Sequence, residues 1–204
     1  MRAILIHGMG RSPLAMLVLA ARLRAAGIRP HLFGYMAIFH DFESCRQRLA
    51  VYIARHAAAE PYIIVGHSLG GVLARAALPL LRQEPSAIFL LAVPACACRA
   101  ARYFAPRRWF RWLTGTMVRR LADEDFMQSL PIPTMVTRIY AGTNGPRGRW
   151  VPLGDELNDG VVTVAETRLP GISVQNVPCV HSSIMNSKTI ATDIICTTST
   201  VAGV

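Results

Sequence analysis

Short runs of consecutive apolar residues alternate along the chain with longer stretches of helical spacing. Residues 2–7 run through Ile4, Leu5 and Ile6 and stop at Gly8, which predicts a buried strand. Pro13 opens a stretch rich in Ala, Leu and Arg, residues 14–26, and Gly27 closes it, so a helix is expected there. A second strand is expected over 31–36. A helix over 42–58 would place Cys45, Leu49, Tyr52, Ile53 and His56 near one face. Residues 62–65 are the clearest strand, ended by Gly66, and 69–81 read as the helix behind it. Residues 87–93 form another apolar strand ended by Pro94, and 134–141 and 173–180 read as further strands. A Gly/Pro-rich loop is expected over 143–158 and a last helix near 184–195. This alternation predicts an α/β fold with a mostly parallel central sheet and helices on both faces. No internal repeat or low-complexity linker interrupts the 204 residues, so one domain spanning 1–204 is expected.

Composition supports that picture. The chain is 52% hydrophobic with a mean hydropathy of +0.33, which suits strands covered on both faces and excludes a disordered chain. No apolar run approaches the ~20 residues of a membrane span. His7, Gly8 and Gly10 cut the N-terminal apolar run too short for a secretory leader. The expected compartment is therefore the cytoplasm, with a mature form lacking its leader as the alternative. Cys45, Cys96, Cys98, Cys179 and Cys196 are odd in number and irregular in spacing, which argues against a disulfide framework or a zinc site; small buried side chains are expected.

The formal charge is +10, and no Asp or Glu precedes Asp41. A basic surface can meet nucleic acid, anionic lipid or an acidic substrate, but charge alone names no ligand. No nucleic-acid motif is present, so no specific nucleic-acid partner is expected.

The chemistry concentrates at Gly66-His67-Ser68-Leu69-Gly70-Gly71, between the best strand and a good helix. G-x-S-x-G in that context is a nucleophile elbow. Side chains two positions to either side of the serine would collide in so tight a turn, so Gly66 and Gly70 are required. The helix starting at Leu69 aims its N–H groups and positive dipole end at a developing oxyanion. His67 adjoins Ser68 and should point away from it across the turn, so it is not the expected base.

A serine nucleophile needs a base, and the base needs an orienting acid. With a nucleophile elbow the partners follow in the order serine, acid, histidine. Of the six histidines only His181 follows Ser68, at the end of the last expected strand. Between them, Glu84 falls on the way out of the helix, and Asp123, Glu124 and Asp125 form a charge run of the solvated kind. Asp155, Glu156, Asp159 and Glu166 remain. Asp159 is preferred because Gly160 permits a sharp turn and Val161 and Val162 return to the core, with Asp155 as the alternative. The loop after the first strand, His7-Gly8-Met9-Gly10, should supply the second oxyanion donor from the N–H of Met9, beside that of Leu69. His7 is expected to be a structural hydrogen-bonding residue.

Together these residues resemble the α/β-hydrolase superfamily, over nearly the whole chain, and in particular its small minimal-core bacterial lipases and esterases. The matching motifs are His7–Gly10, Gly66–Gly71, Asp159–Val162 and His181. The resemblance implies ester hydrolysis through an acyl-enzyme with Ser68, Asp159 and His181, oxyanion donors at Met9 and Leu69, and no metal or organic cofactor. A thioesterase, acyltransferase or amidase would use the same residues, and a non-catalytic binding protein of this fold is the alternative from another class. Where the family usually closes with an amphipathic helix, residues 196–204 are poor helix formers, so a short final helix or a disordered tail is expected. Residues 99–128 interleave seven arginines with aromatic residues, including Trp109 and Trp112, and form a cap-like insertion. They are expected to cover an acyl pocket or to make a weak contact with an anionic membrane surface, against an ordinary core-packed helix. The expected substrate is a small-molecule or lipid ester; the oligomeric state is not readable.

Overall fold

In a computed structural model, which describes residues 1–37, 40–57, 60–104, 117–151, 153–201 and 203, six strands form one wholly parallel sheet. They are β1 (Arg2–Ile6), β2 (Arg29–Phe33), β3 (Tyr62–His67), β4 (Ala87–Leu91), β5 (Val136–Gly142) and β6 (Val174–Val177), ordered β2-β1-β3-β4-β5-β6.

The central strands read as continuous apolar runs because both their faces are covered. Ile4 and Ile6 of β1, Ile64 of β3 and Ile88 and Leu90 of β4 pack in one core, with α2 (Phe42–His56) and α3 (Leu69–Ala77) over it. Ala3, Leu5, Ile63, Val65, Phe89 and Leu91 pack in the other, under α1 (Leu17–Ala25) and the C-terminal helix Lys188–Val201. Successive side chains on a strand point to opposite faces, so one apolar run feeds both cores. Asp41 starts α2, its carboxylate accepting from the N–H of Ser44 at 2.9 Å.

Several elements depart from the sequence expectation: α3 stops at Ala77 rather than 81, β4 at Leu91 rather than 93, β5 starts at Val136 rather than 134, and β6 covers only Val174–Val177 of 173–180. The second strand is Arg29–Phe33, displaced from 31–36, because its pairing with β1 begins at Arg2–Arg29. Pro30 is tolerated there since β2 is an edge strand. β3 runs through Gly66 to His67 rather than ending at Gly66. Most clearly, the tail is not a short helix with a loose end: helix Lys188–Val201 continues through Thr197, Thr198, Ser199 and Thr200. The hydroxyls of Thr198, Ser199 and Thr200 donate to the carbonyls four residues back at 2.6, 3.1 and 3.1 Å, and Thr197 and Thr198 are buried. Burial of Thr197 and Thr198 against the core overrides weak intrinsic propensity, and the back-bonds satisfy the hydroxyls without themselves favouring the helix.

Within the cap-like segment, helices span Arg99–Phe104, Met117–Ala122 and Glu124–Ser129, and Met117, Val118, Leu121 and Met127 are buried in the α2/α3 core. The described part is therefore core-packed; residues 105–116, with Trp109 and Trp112, lie outside the described residues. The cysteines are free thiols; against the expectation that they are mostly buried, only Cys45 and Cys98 are, with Cys96 and Cys179 half-buried and Cys196 exposed. No helix among the described residues is long and apolar enough to cross a membrane.

Candidate active site

Ser68 sits between the last residue of β3 and the first of α3, with φ 52° and ψ −126°. That conformation strains an L-residue by about 1–3 kcal/mol and has to be held by its surroundings. The glycines do the holding. A Cβ on Gly66 would lie 2.5 Å from Cα of Gly71, and one on Gly70 would lie 2.4 Å from the carbonyl oxygen of His7. β3 and α3 thus fold back on each other, and α3 meets the end of β1, at distances only glycine allows. The N–H of Ser68 donates to the carbonyl of Leu91 at 3.0 Å, tying the turn to β4.

Asp159 lies in the loop after β5, almost wholly buried. Its Oδ1 accepts from the N–H groups of Val161 and Val162 at 2.9 and 2.8 Å, the turn that Gly160 permits with φ 100°. Its Oδ2 accepts from Nδ1 of His181 at 2.7 Å. Both carboxylate oxygens are therefore committed, and Nε2 of His181 is left as the basic nitrogen. The N–H of His181 donates to the carbonyl of Asp159 at 2.8 Å, so the two residues are joined through backbone as well as side chains. Gly142, at the end of β5, makes room: a Cβ there would lie 2.6 Å from the carbonyl of Cys179 and 2.7 Å from Cβ of Asp159.

The other acidic candidates lie elsewhere. Asp155 is exposed, and Glu156 pairs with Arg99 at 2.7 Å. Glu166 is buried and accepts from Thr163 N–H, Thr163 Oγ1 and Arg99 N–H at 2.8, 3.0 and 2.7 Å, stitching the acid loop to the segment after β4. Asp123 caps helix Glu124–Ser129 through Phe126 N–H.

His67 is wholly buried behind the turn and bonded across the site. Its Nε2 donates to the backbone carbonyl of His181 at 3.0 Å across 114 residues of chain, and the two rings lie 4.9 Å apart. The Ser68 turn and His181 are linked through this side chain, which sequence reasoning did not reveal. Its Nδ1 is buried without a hydrogen-bond partner among the described residues, against Gly8, where a Cβ would come within 2.7 Å. Burial first, then the neighbouring His181, hold the His67 imidazole well below the ordinary histidine range, so it stays neutral.

His7 is buried and held on both ring nitrogens. Its Nδ1–H donates to the carbonyl of Gly8 at 2.8 Å, Nε2 accepts from Tyr35 N–H at 3.4 Å, and the ring stacks on that of Tyr35 at 4.4 Å. The Tyr35 hydroxyl donates to the His7 carbonyl at 2.9 Å. Burial lowers the His7 pKa. These bonds fix the loop bearing Gly8 and Met9, and Met9 packs half-buried against the α2/α3 core. Leu69, at the first position of α3, has an N–H with no partner within the helix by construction. Among the described residues no group of three His, Cys, Asp or Glu is placed to hold a metal ion.

A parallel sheet with a strained serine between its third strand and third helix, and an Asp–His pair at the same edge, defines the α/β-hydrolase class. The model of the alpha/beta hydrolase family matches residues 3–194, and the chain belongs to that family. In solved structures the fold recurs in the mature lipase BlEst2 of Bacillus licheniformis (TM-score 0.71, 18% identity, covering 95% of this chain and 91% of that one). It recurs in a pyrethroid hydrolase from Sphingobium faniae JZ-2 (TM-score 0.62, 15% identity, covering 100% and 99%). A third case is the RedJ thioesterase of the prodiginine pathway in Streptomyces coelicolor (TM-score 0.62, 15% identity, covering 98% and 89%). At these identities the likeness is one of fold. No curated protein matches the sequence.

Proposed function

We propose that this chain is a carboxylic-ester hydrolase that works through an acyl-enzyme on Ser68. The observation that carries the reading is the 2.7 Å bond from Nδ1 of His181 to Oδ2 of a buried Asp159, tied by His67 to the strained turn of Ser68. Oγ of Ser68 attacks the ester carbonyl as Nε2 of His181 takes its proton, and Asp159 stabilises the imidazolium. The N–H groups of Leu69 and Met9 receive the negative charge that develops on the carbonyl oxygen. The C–O bond to the leaving alcohol then breaks, and that oxygen takes the proton from His181. Water, deprotonated by His181, attacks the acyl-Ser68 carbonyl, releases the carboxylic acid and returns the proton to Ser68.

The test is labelling by a fluorophosphonate probe beside Ser68→Ala, followed by a p-nitrophenyl ester series from short to long acyl chains. Wild type labels and turns over esters, and Ser68→Ala does neither. A folded wild type that resists the probe overturns the proposal. Because a protonated imidazole accepts no proton, hydrolysis falls on the acid side; a flat rate from about pH 5 to 9 would remove His181 from the base role.

A further inference from the structure

The loops that leave the carboxyl ends of the strands carry more than the triad. All six strands are parallel, so the loops after β1, β2, β5 and β6 emerge at one edge, the edge of Ser68 and His181. There they expose large apolar side chains. Leu14 after β1 is 69% exposed, Met36 after β2 is 55% exposed and Trp150 after β5 is 98% exposed; Leu157, Val161 and Val180 add smaller areas. Arg11, Arg147 and Arg149 stand exposed in the same loops. Of the carboxylates there, Glu156 is matched by Arg99 at 2.7 Å and Asp41, at the end of the β2 loop, caps α2 through Ser44, leaving Asp155 as an exposed acid on the β5 loop.

Trp150 is the extreme member. An indole in bulk water is costly, and its polar N–H suits it to a lipid headgroup layer rather than to a core. It sits next to Arg149 inside the turn closed by Gly148 N–H to the Gly154 carbonyl at 3.0 Å. The base of that loop is fixed to the catalytic acid's neighbour: Gly145 N–H donates to the Asn158 carbonyl at 2.8 Å, and Asn158 Nδ2 to the Pro146 carbonyl at 3.1 Å. Whatever Trp150 rests on is thereby set at a defined place relative to Asp159.

We infer that this rim docks on an anionic phospholipid surface, with Trp150 as the buried anchor and Arg147, Arg149 and Arg11 against the headgroups. Charge complementarity selects the partner: a chain of net charge +10 presents arginines around the apolar rim, and each arginine at an anionic leaflet gains about five-fold in partitioning. Docking would bring the edge of Ser68 and His181 down onto the lipid. It needs neither Ser68 chemistry nor residues 105–116.

The experiment is vesicle co-sedimentation of the full chain with phosphatidylcholine vesicles, with and without phosphatidylglycerol, at low and high salt. Wild type and Ser68→Ala should pellet equally with the anionic vesicles and stay in solution with the neutral ones. Trp150→Ala should lose at least about ten-fold in partitioning, and Arg147→Gln/Arg149→Gln about twenty-five-fold, with binding lost at high salt. Unchanged thermal melts would show that both variants are folded. Binding to neither vesicle, equal binding to both, or full binding by folded Trp150→Ala overturns the docking surface. A failed fluorophosphonate test with intact vesicle binding overturns only the hydrolase reading.

Discussion

Two neighbouring strands of this sheet end in the same unusual way. Ser68 after β3 and Ala92 after β4 are the two residues other than glycine with positive φ among the described residues, at 52° and 50°. Both turns are held by hydrogen bonds to the next strand: Ser68 N–H to Leu91, and Ala92 N–H to Tyr140 at 2.8 Å. Their surroundings differ. Ser68 is 9% exposed beside His67 at a helix N-terminus, whereas Ala92 is fully buried among apolar side chains. Backbone strain thus marks a place that tertiary structure holds firmly; it marks chemistry only where a reactive side chain and its partners converge.

The sharpest way to separate the two turns is activity. Ser68→Gly relieves the strain but removes the nucleophile, and ester turnover should fall on the order of a thousandfold or more. Ala92→Gly should keep near wild-type turnover; an equal loss in both would erase the distinction. Asp159→Asn should also lose turnover, on the order of 10⁴-fold, because the amide no longer holds the required His181 tautomer.

Stability gives the next contrast. Gly66→Ala would push a methyl into the backbone of Gly71, which cannot move aside as a side chain could. A cost above about 3 kcal/mol is expected in a denaturant titration. A near-neutral result would show that the Ser68 turn is not sterically over-determined.

The Ser68 turn should also be the pH-sensitive one. His67 is held below the usual range when folded, so the unfolded chain binds its proton first. Its contribution is complete above about pH 6.5 and is lost as pH falls from there toward the folded pKa. The melting temperature should drop between about pH 6.5 and 5, and His67→Gln, which keeps a donor for the His181 carbonyl, should flatten that slope. An unchanged slope would remove His67 as its source.

The smallest effect is the gain from relieving strain. Ser68→Gly should stabilise by about 1 kcal/mol, or about 2–4 °C in melting temperature. At Ala92 the same relief is offset by about 0.8 kcal/mol for the lost buried methyl, so Ala92→Gly should melt near wild type.

The sheet, the elbow glycines and the order Ser68, Asp159, His181 could be read from the sequence because each rests on a local or topological rule. Apolar runs make buried strands, tight turns demand glycine, and strand order puts loops at one edge. What escaped depended on distant contacts. The bond from His67 to the His181 carbonyl joins residues 114 apart, and nothing in the neighbourhood of His67 announces it. The Thr- and Ser-rich tail reads as a poor helix because propensity does not count the core that covers Thr197 and Thr198. The start of β2 was fixed by pairing with Arg2. The exposure of Trp150 is a property of the folded surface alone.

The position of that last helix has a consequence for how the molecule is made. Five strands, the nucleophile turn and the acid loop all precede β6, His181 and helix Lys188–Val201, which packs beside α1. A chain emerging amino-terminus first can pair β1 to β5 while still tethered to the ribosome. His181, the proposed proton acceptor, arrives with the segment that closes the face covered by α1. The three residues of the proposed triad can meet only after β6 has been made, because His181 follows it in the chain.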